Sequence, residues 1–164
     1  MRRRSSRGRA GAVVCSGALL LIAGCSGSGS SVHIDAPALA GGRARACADL
    51  VDALPDHVDD QPRMPVTGTG YTAAWGDPPI ELRCGVSRPA LFDRFATCQI
   101  VNGVDWFIPE SQQTGRPVDI TMTTVGRAEF VEVQIPHDYF PPAATMADLA
   151  DAVKQSIPEL KPCR

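Results

Sequence analysis

Cys98-Gln99-Ile100-Val101-Asn102-Gly103-Val104-Asp105-Trp106-Phe107-Ile108 is the run that decides how this chain folds. Asn-Gly between two β-prone segments is the strongest short hairpin signal, because a type I′ turn needs positive φ at both central residues. A two-residue turn pairs Val101 with Val104 and Gln99 with Trp106 on one face. Ile100 opposite Asp105, and Cys98 opposite Phe107, then fall on the other face. The region is antiparallel, and its neighbours read the same way.

Upstream, Ile80, Leu82, Cys84 and Val86 alternate with Glu81, Arg83 and Gly85, the pattern of a half-buried strand. Tyr71 to Trp75 is a shorter strand, and Gly76-Asp77-Pro78-Pro79 is a turn between the two. Residues 56–70 are polar and rich in proline and glycine, and read as a loop. Downstream, Val118 to Thr124 and Val131 to Ile135 alternate around Gly126-Arg127, a second hairpin. Met146, Leu149, Ala150, Val153 and Ile157 make the apolar stripe of a helix that Pro158 stops, with Thr145 and Asp148 spaced as a capping box. Cys47, Leu50, Val51 and Leu54 mark a shorter helix over 44–54, ended by Pro55. The expectation is an α+β fold: an antiparallel sheet of about five strands in hairpins, with an N-terminal and a C-terminal helix packed on one face.

The N-terminus carries an address. Arg2, Arg3, Arg4, Arg7 and Arg9 precede an apolar segment over 11–23, in the order of an export signal. That segment is shorter than the roughly 20 apolar residues of a membrane-spanning helix. Leu21-Ile22-Ala23-Gly24-Cys25 closes it as a lipobox, which directs cleavage before Cys25 and attachment of lipid to its sulfur. Ordinary cleavage at a small-residue site, with Cys25 incidental, is the rival reading. The expected organisation is a signal peptide over 1–24, a lipidated Ser/Gly-rich tether over 25–43 and a single domain over 44–164. The expected localisation is the extracytoplasmic face of the cell membrane.

Six cysteines are present. Cys15 lies in the leader and Cys25 is the lipid site. Cys47, Cys84, Cys98 and Cys163 remain, and an even number in an exported domain reads as two disulfides. Three pairings are open. Cys84–Cys98, between strands expected to be neighbours, with Cys47–Cys163 as the other bridge, is the favoured one. A zinc site is disfavoured by the absence of any Cys-x-x-Cys pair.

The formal charge of −2 becomes −7 once the five leader arginines are removed. Clustered Lys and Arg, which phosphate neutralisation needs, are missing, and this argues against a nucleic-acid partner. An acidic domain is also repelled by an anionic membrane surface, so the lipid does the anchoring. The 14 arginines against 2 lysines reflect codon usage.

Candidate chemistry is sparse. Trp75 and Trp106 each lie close to an aspartate, Asp77 and Asp105, and together suit an aromatic binding platform; the alternative is that both indoles are core. Asp105 shares a face with Ile100, so Arg83 or Arg127 is its expected partner. Asp56-His57-Val58-Asp59-Asp60 fits no metal-ligand spacing, and Val66 to Gly70 lacks the lysine of a phosphate loop. His137-Asp138 is an adjacent pair in a proline-bounded loop, and no Gly-x-Ser-x-Gly elbow accompanies it outside the tether. No cofactor or metal is called for.

The segments Cys47-Ala48-Asp49-Leu50, Ala74-Trp75-Gly76-Asp77-Pro78, Leu82-Arg83-Cys84-Gly85-Val86 and Val101-Asn102-Gly103-Val104-Asp105-Trp106 resemble an actinobacterial family of membrane-anchored and exported proteins, domain of unknown function 3515. The resemblance runs from about Cys47 to Cys163. It implies a cell-envelope setting and brings no activity with it. The function expected is that of a membrane-anchored lipoprotein with a non-catalytic binding or accessory domain, its partner an envelope protein or small ligand. The alternative is a small envelope hydrolase with carboxylates near Trp75 and Trp106.

Overall fold

The computed structural model describes residues 30–163. The expected signal peptide with Cys15, and the expected lipid site Cys25, lie outside the described residues. In chain order the elements are β1 (Val32–His33), α1 (Gly41–Ala53), β2 (His57–Val58), β3 (Gln61–Met64), β4 (Val66–Thr67), β5 (Thr72–Trp75), β6 (Ile80–Val86), β7 (Gln99–Val101), β8 (Val104–Phe107), β9 (Ile120–Thr124), β10 (Phe130–Ile135) and α2 (Ala143–Ser156).

The fold is α+β, and its antiparallel sheet has eight strands rather than about five. Their order is β2-β3-β5-β6-β10-β9-β8-β7. Two four-stranded meanders therefore meet along one ladder, β6 against β10. There Leu82 faces Val133 and Cys84 faces Val131. The Asn-Gly hairpin has the expected register, Val101↔Val104, Ile100↔Asp105 and Gln99↔Trp106. Asn102 and Gly103 both take positive φ, at 50° and 81°.

Strands β2 and β3 were hidden in the segment expected to be a loop. Their turn is Asp59-Asp60, both at positive φ, which aspartate adopts at some strain. The Asp59 amide donates to Asp148 Oδ2 of α2 at 2.8 Å, which holds the turn. Pro62 is tolerated in β3 opposite the two-residue β2 at the sheet's edge. Asp148 thus serves this turn and not a capping box. Helix α2 starts at Ala143 behind Pro142 and has no side-chain cap.

Part of the stretch expected to be tether is folded. Strand β1 pairs in parallel with β4, and Ile34 and Ala36 are buried. Helix α1 begins at Gly41, with neither a capping side chain nor a good helix former to mark it. Its first turn is fastened instead by Arg43, whose Nε and Nη2 donate to the buried Glu129 carboxylate at 2.7 Å each.

Both helices cover one face of the sheet. Leu50 of α1 and Met146, Leu149 and Val153 of α2 join a single core with Ile80, Leu82, Val104, Met122, Val131 and Val133. On the outward face Arg83 lies between Glu81 (2.6 Å) and Glu132 (3.7 Å).

The disulfides are Cys47–Cys84 and Cys98–Cys163, not the expected pairing. Cys84 points under the helices, where Cys47 of α1 meets it. Cys98 precedes the edge strand β7, which is four places from β6 in the sheet. The two bridges close chain separations of 37 and 65 residues. Each contributes about 4 kcal/mol by the loop-entropy relation.

Non-reducing peptide mapping is expected to link Cys47 to Cys84 and Cys98 to Cys163. The double replacements C47A/C84A and C98A/C163A should each lower unfolding free energy by about 4 kcal/mol in denaturant titration. A Cys84–Cys98 linked peptide would contradict the topology.

Candidate functional site

Trp75 and Trp106 are both fully buried on the helix-facing side of the sheet. Neither presents a ring face to a ligand, which removes the aromatic platform and the cleft of the hydrolase alternative. The two indoles differ in one respect. Trp75 Nε1 donates to the Pro55 carbonyl at 3.0 Å, whereas Trp106 Nε1 is buried without a partner among the described residues.

Asp105 lies on the Ile100 side of its hairpin, as the register required, but pairs with neither expected arginine. Its carboxylate accepts from the backbone N–H of Cys163. Arg127 is committed elsewhere: Nη1 donates to the Ile157 carbonyl and Nη2 to that of Gly103, at 2.8 Å each. Asp105 is thus a fastening for the C-terminal segment. Asp77 is exposed in its turn, far in the fold from Asp105 and close to a different group of residues.

That group surrounds a cleft of about 420 Å³ at the end of the sheet where β6 and β9 begin and β10 stops. Pro78 and Pro79 form one wall, and Asp119, His137 and Asp138 form the rim. Glu81, Thr121 and Gln134, which stand side by side on the outward face, form the floor. The Ile120↔Ile135 pairing brings Asp119 beside the chain leaving β10. There Asp119 Oδ1 receives both the backbone N–H and Nδ1 of His137, at 2.9 Å each. His137 Nε2 is 3.7 Å from Asp138 Oδ2. Tyr139 Oη donates to the Pro78 carbonyl at 2.9 Å and closes the wall to the rim. Burial and the Asp138 charge raise the Tyr139 pKa, so its hydroxyl stays a donor.

The hydrogen bond that His137 donates to Asp119, helped by the charge of Asp138, holds the His137 pKa above its ordinary 6.5. The same contact holds Asp119 below its ordinary 3.8. The histidine's contribution is complete below 6.5 and is lost as pH rises through the raised value. The aspartate's is complete above 3.8 and is lost as pH falls through the lowered value. The pair is therefore fully formed between those two ordinary values. Asp119 and Asp138 put two carboxylates on the rim, so the cleft suits a small ligand that donates hydrogen bonds, an amine or a polyol.

Sequence reasoning noticed His137-Asp138 but not Asp119. The hairpin alternation was the available signal: a register of Ile120 opposite Ile135 places Asp119 next to Pro136. Among the described residues no three His, Cys, Asp or Glu side chains converge as a metal site, and no helix is long and apolar enough to cross a membrane.

Two outcomes are expected. The D119N variant should lower the His137 imidazole midpoint toward 6.5 in an NMR titration, and an unmoved midpoint would break the assignment. W75F strands the Pro55 carbonyl, whereas W106F removes an unpartnered N–H. W75F should therefore cost about 1 kcal/mol more than W106F in chemical denaturation.

Comparison with curated proteins and with solved structures gives no match. Residues 10–162 match the model of a family described as protein of unknown function (DUF3515), and the chain belongs to that family.

Proposed function

We propose that this chain is a lipoprotein of the cell envelope, held on the extracytoplasmic face of the membrane by lipid on Cys25. Its domain binds an envelope protein or a small ligand without catalysing a reaction on it, and the cleft beneath Asp119 and His137 is the place where a small ligand docks. The observation that carries the reading is the pair of disulfides. Cys47, Cys84, Cys98 and Cys163 are all cross-linked across distant parts of the chain, which suits an oxidising compartment. Cys25 stands apart from them behind a basic and apolar leader. Two acyl chains anchor stably, while one alone holds only marginally.

Mass spectrometry of the protein extracted from membranes is expected to find Cys25 as the N-terminal residue carrying diacylglycerol. Cys25→Ala should leave the leader uncleaved or release the product from the membrane. An intact leader or an unacylated Cys25 in the native protein would refute the anchoring.

A further inference from the structure

Strands β6 and β7 run in the same direction four places apart in the sheet, so the connection over 87–98 must return from one end of the sheet to the other. It crosses the face away from the helices, where Phe92 packs on Phe107 of β8 with ring centroids 5.3 Å apart. The C-terminal segment joins it there. Leu160 N–H bonds to the Gly126 carbonyl, and Cys163 is cross-linked to Cys98.

The strap, the adjoining β7 and the C-terminal segment carry large apolar side chains that stand in solvent. Leu91 is 67 % exposed, Phe95 76 %, Ile100 66 % and Leu160 73 %. They form one surface: Phe95 lines the same hollow as Leu91 and also the one that holds Ile100 and Cys163, while Leu160 and Cys163 line the next. Cations stand among them. The Arg94 guanidinium lies 4.7 Å from the Phe95 ring centre and that of Arg88 4.9 Å from Phe92, and Lys161 follows Leu160. Asp93, exposed beside them, accepts the Phe95 N–H at 2.8 Å, and Glu110 lines the hollow of Leu91 and Phe95. The face is thus apolar, with Arg88, Arg94 and Lys161 standing beside the carboxylates of Asp93 and Glu110, on a domain of formal charge −7.

We infer that this strap face docks onto the surface of the membrane, inserting Leu91, Phe95, Ile100 and Leu160 among anionic lipid headgroups. The inference rests on the lipid anchoring proposed above and adds an orientation to it. Seven residue steps separate Cys25 from β1, and at most about 3.5 Å per step gives a leash of roughly 25 Å. A domain of this size has a radius of gyration of about 14 Å. On such a leash it rests against the headgroups, and the acidic remainder of its surface is repelled by them. Apolar tips with arginine over aromatic rings suit the interface, where apolar groups sink about 5–10 Å.

The test uses the mature protein purified from membranes and reconstituted in vesicles of phosphatidylcholine and phosphatidylglycerol in equal parts, with brominated acyl chains as quencher. Native Trp75 and Trp106 are buried and provide a constant background. F95W is expected to shift to the blue and to be quenched, whereas R45W on the helix layer is not. R94Q/K161Q should lower the inserted fraction of F95W about fivefold per charge removed. Lipidated protein with F95W quenched no more than R45W overturns the docking and leaves the anchoring intact. Unacylated protein in which added vesicles still quench F95W supports the docking and removes the anchor. A blue shift that grows with protein concentration without vesicles assigns the face to a second copy and overturns the proposal.

Discussion

The ladder between β6 and β10 is the constraint on which the rest of the molecule depends. Each meander alone is a set of local hairpins with one apolar face. Only where Leu82 meets Val133 and Cys84 meets Val131 do they become a single sheet wide enough for two helices to cover. The Cys47–Cys84 bridge fixes α1 to this seam, and α2, packed on α1, touches β2 at one edge of the sheet and β7 and β8 at the other. The long strap over 87–98 follows from the same arrangement, because joining β6 to the far edge requires the chain to recross the sheet.

This architecture separates the molecule into regions with different physical chemistry. The helix side is the apolar core and contains both tryptophans. The outward side is split. At one end lies the acidic cleft of Asp119, His137 and the Pro78 turn. Across the second meander lies the strap, with exposed leucine and phenylalanine beside arginine. An apolar face carrying arginines and an acidic cleft thus occupy different parts of the same side.

Much of this was legible locally. The Asn102-Gly103 turn fixed the register of β7 and β8, since that turn type admits few other residues, and alternation placed β6, β9 and β10. The register also placed Trp106 on the Val101 and Val104 side, the side that proved to be core. What could not be read was non-local or disguised. Pro62 and the Asp59-Asp60 turn hid β2 and β3, because aspartate at positive φ depends on a partner from α2 and not on its neighbours. The disulfides were mispaired because closeness in sequence between β6 and β7 is not closeness in the sheet. Asp119 was missed because its partner His137 lies 18 residues on and is reached only through the β9–β10 pairing.

Native-state hydrogen exchange of the backbone amides tests the seam most directly. Amides of β6 and β10 that face the seam, Arg83 and Glu132 among them, are predicted to exchange slowest and to open together with the core of α2. Exchange of the two meanders as independent units, with β6 and β10 opening as readily as the edge strands β2 and β7, would contradict the account.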